Sequence, residues 1–358
     1  EEGFLPPGVQ VRIDGDAVEP GMELRLSPEP VERPERLDEH LLREVFCVVV
    51  VAGEVEGEVV DAPLVALHDL AERRRLDATH RLGHDGRRRR RFLPPPKGWY
   101  LSDVRDQRAE LDSFDIVEGL VIQGGTHVEV LNGISLLGGL PASWVGTAWT
   151  AKATVKTLLA HWRASGCPDY VQFDNDTIFQ GAHQWPDTVG RVTRICLQLG
   201  VTVVFAPPRE TGFQASIESY NGRWQSKVWQ RFHHPSLEVL RKRPNAYVAA
   251  CRERSASRIE AAPTRSKVPR GWKLDLSRPL KGTVIFIRRT NDKGHVQLLG
   301  HDYHVSGSWC HRLVRCNVDL TAGRIRIYQL RRREPTRQPL LTAFNYQTPI
   351  KPFQGDSD

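Results

Sequence analysis

Apolar and polar residues alternate in short runs over residues 1–62, and glycines separate the runs. This alternation predicts a small β-rich module, because a period of two is typical of half-buried strands. Residues 63–97 change to helical spacing and then continue as five arginines (87–91) and three prolines (94–96). We interpret this second region as a helix that leads into a stiff, basic linker.

Residues 98–258 carry the longest continuous pattern. Three strand-like runs, at 109–115, 119–128 and 130–138, are separated by turn residues and predict an antiparallel meander. Helices and buried strands then alternate: helix 150–166, strand 169–176, helix 186–200, strand 201–208, helix 212–232 and a helical segment interrupted before Pro244. We expect Thr150 to cap the first of these helices and Gly166 to follow its end. Together the runs predict an α/β domain with a mixed sheet.

The C-terminal part begins with a Pro- and Arg-rich linker over 259–282. Five β-like runs follow between 283 and 335, and they predict a small antiparallel β-barrel. Residues 336–358 are predicted to be a tail, and the basic run "RRREPTRQP" that begins at 331 and leads into it is predicted to be loosely ordered. The predicted fold is therefore multidomain α/β, with a mixed-sheet core between two β-rich modules.

Charge is distributed unevenly along the 358 residues, with a net charge of −10 over 1–60, +7 over 61–258 and +10 over 259–358. A basic C-terminal half suits a protein that binds polyanions, because each neutralised phosphate releases counterions. The chain contains no run of about 18 uncharged apolar residues, and "EEGFLPPG" does not resemble a secretory signal. Six cysteines without a CxxC pair favour reduced thiols in a cytoplasmic protein. The run "CHRLVRC" at 310–316 lacks the second pair typical of zinc modules.

Three acidic residues stand where a surface acid is not the expected choice. Asp112 lies within an apolar strand pattern, Asp174 ends the strand "YVQFD", and Glu218 opens a helix after a proline-containing loop. In a mixed sheet, two strand carboxylates and one from an adjacent helix can converge into a negative pocket. Clustered carboxylates raise one another's pKa, and hard divalent cations relieve this. The pattern predicts phosphoryl transfer by two metal ions about 3.5–4 Å apart.

The stretches "AELDSFDIVEGL", "VQFDND" and "FAPPRETGFQASIESYNGRW" together resemble the catalytic core of the retroviral integrase superfamily. The likeness is greatest to bacterial insertion-sequence transposases with an Asp-Asp-Glu triad, and it covers about residues 96–258. It implies a ribonuclease-H-like fold, catalytic and metal-binding roles for Asp112, Asp174 and Glu218, and two Mg²⁺ ions, for which Mn²⁺ can substitute. It also implies a DNA-binding SH3-like barrel after the core, and a homo-oligomer that acts on paired ends of double-stranded DNA.

The chain departs from the family pattern at two points. Asp176 stands where the family places glycine after Asp174 and Asn175, and it is either a surface acid or a neighbour that tunes the metal site. The 43 residues between Asp174 and Glu218 are more than in the best-known members. Asp115 is the alternative first ligand. It lies three residues beyond Asp112, so in a strand the two face opposite sides and only one can point into the site.

The helix that carries Glu218 presents basic residues at four-residue steps, which predicts a stripe that contacts phosphate: Arg223, Lys227 and Arg231. A solvated helix face is the alternative. Asn221 and Gln225 are candidates for contacts with bases or sugars near the scissile bond. Arg209, in the loop before Glu218, is a further candidate DNA contact.

The function predicted from these features is a Mg²⁺-dependent DNA transposase or integrase that cleaves element ends and joins them to target DNA. The alternative is a domesticated DNA-binding or assembly protein that keeps the fold without the chemistry. A ribonuclease-H-like nuclease would not need the basic barrel. The acidic N-terminal module suits contact with a regulatory protein or another subunit, and no helix-turn-helix pattern precedes the core. We expect a cytoplasmic, nucleoid-associated bacterial protein with no membrane partner.

Overall fold

A computed structural model describes residues 95–182 and 185–347. The predicted N-terminal module (1–62), nearly all of the helix and basic linker (63–94) and the end of the predicted tail (348–358) lie outside the described residues. The described residues belong to the compact unit that spans residues 90–358. No helix in the described part of this unit is both long and apolar enough to cross a membrane.

An antiparallel meander follows the short helix α1 (Ser102–Arg105), as the sequence predicts, but with shifted bounds. Its strands are β1 (Leu111–Val121), β2 (His127–Ser135) and β3 (Pro141–Gly146). The turn between β1 and β2 forms at Gly124 and Gly125, whose φ angles are +86° and +79°. The sequence predicts a turn at 116–118, but β1 continues through these residues with a β-bulge between Val117 and Leu120. The first strand is therefore longer than predicted, and the third begins later.

Two parallel strands extend the meander. Helix α2 (Ala151–Ser165) is capped as predicted, because Thr150 Oγ accepts from the N–H of Ala153 at 3.2 Å and Gly166 follows with a φ of +80°. Strand β4 (Tyr170–Phe173) pairs with β1, and β5 (Thr202–Phe205) pairs with β4, both in parallel. The order β3-β2-β1-β4-β5, flanked by helices, is a mixed sheet consistent with a ribonuclease-H-like integrase core.

Helix α3 (Thr177–Gln180) and helix α4 (Arg191–Gln198) connect β4 to β5. Helix α4 begins five residues later than predicted. Gly190 precedes it and packs so closely on Gly181 that an added Cβ would lie 2.9 Å from the Gly181 nitrogen. This contact brings the end of α3 beside the start of α4.

Three helical segments follow β5. Helix α5 (Ala215–Trp224) continues into a π-helical turn (Gln225–Trp229), and α6 (Leu237–Arg254) is followed by the short α7 (Ala256–Glu260). The interruption predicted before Pro244 is wrong, because α6 continues through this buried residue. Helix α6 lies along β3, where Arg241 and Arg252 donate to backbone carbonyls at the two ends of the strand. This packing compensates for the hydrogen bond that proline removes.

The five C-terminal runs form strands, but they do not form a separate barrel within the described residues. Strand β6 (Thr283–Arg289) pairs in parallel with β5, and β9 (Leu313–Asp319) and β10 (Arg324–Gln329) continue the same sheet outward. Among the described strands, only β7 (His295–Leu298) and β8 (His301–His304) lie outside this sheet, and they pair with each other as a two-stranded hairpin. The predicted tail also contributes an edge strand, β11 (Leu340–Asn345). Residues 284–287 are all buried, as expected of a strand covered on both faces.

A row of phenyl rings crosses four neighbouring parallel strands. Phe114, Phe173, Phe205 and Phe286 come from β1, β4, β5 and β6, and successive ring centroids lie 6.1, 6.5 and 5.2 Å apart. All four side chains are buried in the core that α2 and α4 cover. The row makes the C-terminal strands part of the same hydrophobic core as the meander.

Replacement of Phe286 by alanine should therefore destabilise the whole unit. Phe286 is 1% exposed, and truncation of a buried phenylalanine typically costs about 3–5 kcal/mol. Urea unfolding followed by tryptophan fluorescence and by circular dichroism should show one shared transition at lower urea. Leu340→Ala, at a position 53% exposed, should change the free energy of unfolding by less than about 0.5 kcal/mol. Two separate transitions, with only the C-terminal one shifted, would contradict a shared core.

Candidate active site

Strand β1 places Asp115 on the same face of the sheet as the end of β4. Ser113 pairs in register with Gln172 of β4, and its hydroxyl donates to Gln172 Oε1 at 3.2 Å. Because side chains alternate along a strand, Asp115 shares the face of Ser113. Asp174 follows the last residue of β4, two residues after Gln172. The two carboxylates therefore lie on one face, at the end of the sheet where β4 and β5 finish.

A chain of hydrogen bonds connects Asp115 to helix α5. Asp115, Asn132 and Ser143 are cross-strand neighbours on β1, β2 and β3. The Ser143 hydroxyl donates to Asn132 Oδ1 at 2.6 Å, Asn132 Nδ2 to Asn221 Oδ1 at 2.9 Å, and Asn221 Nδ2 to Asp115 Oδ2 at 2.7 Å. The Tyr220 hydroxyl lies 2.8 Å from Ser143 Oγ. Both α5 residues are thus fixed against the row of polar side chains.

Glu218 lies in the first turn of α5, three residues before Asn221, and its side chain is exposed. Residues three apart occupy neighbouring positions on a helix, so Glu218 lies on the side of α5 that holds Asp115. Burial raises the pKa of Asp115 to about 6, the charge of Asp174 adds to the rise, and the charge of Glu218 adds a smaller part. The charges of Asp174 and Glu218 therefore both act on Asp115, and we call these three side chains the carboxylate group.

The donor set consists of carboxylate oxygens, which hard divalent cations such as Mg²⁺ prefer. Burial also raises the pKa of Asp174, and the nearby charge of Asp176 adds to the rise. A bound cation would favour the charged form of both aspartates. Within residues 95–182 and 185–347, no three His, Cys, Asp or Glu side chains are already close enough together to hold one metal ion. The chemistry of the group fits a cation, and its side chains would have to close around it.

Asp112 does not lie in this group. It faces the opposite side of β1, where Arg265 Nη1 donates to Asp112 Oδ2 at 3.0 Å and Nη2 donates to Oδ1. The side chains of Asp112 and Arg265 are only 3% and 12% exposed. Arg265 belongs to the predicted linker 259–282, so this bidentate pair fastens that segment to the back of the sheet. The sequence predicts Asp112 as the first ligand, and the structure instead brings the alternative, Asp115, to Asp174.

Asp176 has a local structural role. Its carboxylate accepts from the N–H of Ile178 at 2.6 Å and caps α3. Its own N–H donates to Asp174 Oδ1 at 3.1 Å. The residue that departs from the family pattern thus caps the next helix and orients Asp174.

Asn175 connects Asp174 to the C-terminal strands. Its Nδ2 donates to the carbonyl of Ala206 at 2.7 Å, and its Oδ1 accepts from Arg288 Nη2 at 2.9 Å. Burial lowers the pKa of Arg288 to about 10. Sequence reasoning missed Arg288, Asn132 and Ser143. The signals that could have found them are an arginine directly after the buried run "VIFI" and polar residues within the strand pattern of the meander.

The predicted DNA-contacting residues differ in their exposure and in the element that carries them. Arg223 and Lys227 are exposed, but the π-helical turn widens the spacing, since Gln230 N–H donates to the carbonyl of Gln225. Arg231 follows the helical segment, so the predicted stripe does not continue to it. The amide of Asn221 is held by Asp115 and Asn132, which fixes its orientation against the sheet. Gln225 is half-buried, and Arg209 is exposed in the loop before α5.

The chain matches no protein-family model, and no curated protein is similar to it in sequence. Solved structures that are similar include a simian T-cell lymphotropic virus intasome in complex with the PP2A regulatory subunit B56 gamma (13% identity, TM-score 0.30, covering 67% of this chain and 75% of that one). A second is the HTLV-2 integrase catalytic core domain in complex with magnesium (12% identity, TM-score 0.27, covering 46% of this chain and 86% of that one). A third is the BIV integrase catalytic core domain (14% identity, TM-score 0.30, covering 39% of this chain and 81% of that one). Because all three TM-scores are low, any function assigned to this chain depends on its own residues.

Replacement of Arg265 by methionine should strongly destabilise the fold. The change leaves the Asp112 carboxylate buried without its partner, and breaking such a pair typically costs about 3–5 kcal/mol. The double variant D112L/R265M should regain a large part of that loss, since apolar residues can replace a buried pair. Arg270→Met, at an exposed position of the same segment, serves as the control in urea unfolding. Equal effects of R265M and R270M would contradict a structural role for the Asp112–Arg265 pair.

Replacement of Asp115 by asparagine should flatten the pH dependence of stability. The pKa of Asp115 is about 6 in the folded chain and about 3.9 in an unfolded one. An acid whose pKa rises on folding stabilises the fold at low pH, and this contribution is lost as the pH rises from about 4 through 6. Relative to D115N, the wild type should lose on the order of 2 kcal/mol of unfolding free energy over this window.

The measurement is urea unfolding between about pH 4 and 7 in the presence of EDTA, so that no divalent cation contributes. Glu118→Gln, an exposed acid on the same strand, should leave the pH dependence of the wild type unchanged. Parallel curves for wild type and D115N would show that Asp115 does not have the raised pKa.

Proposed function

We propose that the chain is a metal-dependent DNA transposase or integrase, a polynucleotidyl transferase with Asp115, Asp174 and Glu218 as its carboxylate triad. The observation that carries the proposal is the placement of Asp115, which is half-buried, has a raised pKa, and is under the influence of both other carboxylates. Such a placement is unfavourable for a purely structural role, because Asp115 is partly desolvated and its acidic neighbours carry the same charge.

The chain's own residues would prepare the site for phosphodiester chemistry. Asn221 holds one oxygen of Asp115 by hydrogen bonding, and the backbone N–H of Asp176 holds one oxygen of Asp174. Asp115, Asp174 and Glu218 would hold two Mg²⁺ ions, or Mn²⁺ in their place. When bound, such ions activate an attacking oxygen and stabilise the leaving oxygen. The exposed position of Glu218 allows α5 to complete the site from the solvent side.

Double-stranded DNA is the proposed substrate, both as element ends and as target. The +10 charge of residues 259–358 supports a polyanion as partner, and exposed Arg209, Arg223 and Lys227 remain candidate phosphate contacts. Cutting two ends and joining them to one target needs two active sites, so we also propose that the chain acts as a homo-oligomer on DNA. A regulatory protein partner remains a proposal for the N-terminal residues.

The test compares cleavage and strand transfer on DNA that carries candidate end sequences, with Mg²⁺ or Mn²⁺. D115N, D174N and E218Q should each lose about 100-fold or more in rate, because metal-assisted charge stabilisation contributes several kcal/mol. D112N, assayed at a temperature at which it is folded, should keep activity within about tenfold. An inactive D112N beside an active D115N would reverse the assignment. A wild type that binds DNA but neither cuts nor joins it would contradict the enzymatic proposal.

A further inference from the structure

Arginines collect at the end of the sheet where the two aspartates lie. Strands β4, β5 and β6 are parallel and finish at this end. Strand β9 is antiparallel to β6 and begins there, and β10 is antiparallel to β9 and finishes there. The loops at this end therefore carry exposed side chains that we call the arginine rim: Arg209, Arg289, Arg312, Arg331, Arg332 and Arg333.

Acidic residues neutralise the rim only in part. Glu210 pairs with Arg289 and lies 3.7 Å from Arg332, and Glu334 lies 3.3 Å from Arg331. The loop segments 209–210 and 331–334 carry four arginines and two glutamates, and Arg289 and Arg312 add to them, so the rim is net positive. Exposed ion pairs of this kind are weak and are readily exchanged for other partners.

Trp309 fixes two members of the rim close together. The guanidinium carbons of Arg312 and Arg331 lie 4.8 and 5.0 Å from the centroid of its ring. The ring itself is buried, and its Nε1 donates to the carbonyl of Leu313 at 3.1 Å. Two cations held against one rigid ring repel each other, and an anion between them would relieve that repulsion. A guanidinium binds phosphate oxygens in a planar, two-pronged geometry.

The rim runs across the strands, from β4 beside the carboxylate triad towards β10. From β4, which presents Asp174, to β10, which presents Arg331, there are four strand spacings. At about 4.8 Å each these amount to roughly 19 Å, a length that corresponds to about six phosphates of one DNA strand. We propose that the arginine rim is the surface that binds the duplex DNA flanking the scissile phosphodiester. This inference rests on the proposed function, and it assigns the substrate's path to one end of the extended sheet.

The experiment measures binding of a fluorescent DNA duplex of about 25 base pairs by anisotropy, in EDTA and over a range of salt. R312Q/R331Q should bind at least tenfold more weakly at about 100 mM salt, and the slope of log K against log salt should fall by about 2. R312K/R331K keeps both charges and should retain the wild-type slope. The control is K281Q/R324Q, two exposed basic residues at the opposite end of the same strands. It should bind like the wild type.

Thermal unfolding of each variant checks that the packing on Trp309 is retained, and the lysine pair tests the charge if the glutamine pair does not fold. Equal loss in the rim and control pairs, with intact wild-type binding, would overturn the rim while the proposed function stands. A wild type that binds no duplex at low salt would overturn both. Tenfold tighter binding of an RNA duplex of equal length would contradict DNA as the partner.

Discussion

The register of the parallel strands controls where Asp115 and Asp174 are placed. Phe173, Phe205 and Phe286 are direct partners across β4, β5 and β6, and their rings form one row with Phe114 of β1. The row lies on the face covered by α2 and α4, so the alternate positions of the same strands lie on the other face. There α5 packs on β1 and β2, whereas Val204 of β5 and Ile285 of β6 pack with Trp99 and Tyr100. A shift of one residue would turn each of these side chains to the other face. The row thus keeps the strand ends level and Asp174 beside Asp115.

On the α5 face, the polar row of Asp115, Asn132 and Ser143 is kept satisfied because α5 brings Tyr220 and Asn221 down onto it. A buried polar group without a partner would cost free energy, so this network favours a single placement of α5. The same placement determines where Glu218 lies. The geometry of the carboxylates is therefore a result of core packing on one face and hydrogen bonding on the other.

Much of this arrangement can be read from the sequence. The antiparallel-then-alternating order of elements, the caps of α2, and the positions of Asp174 at the end of β4 and of Glu218 at the start of α5 were all predicted from local patterns. The choice between Asp112 and Asp115 was not, because the period of a strand shows that they face opposite sides but not which side α5 covers. That information lies in the Ser113–Gln172 register and in the Arg265 side chain, 153 residues away from Asp112. Sequence patterns carry little information about contacts at such separations.

The C-terminal strands were also predicted correctly as strands and wrongly as a barrel, since local alternation does not say which strand each one pairs with. Their insertion beside β5 has a consequence for how the chain can be divided. A fragment that ended at residue 258, the predicted end of the core, would remove the partner of β5. The backbone edge of an interior strand and the ring of Phe205 would then meet solvent, and such an edge is a template for aggregation. The domain up to residue 258 and the strands that follow it therefore have to fold as one unit.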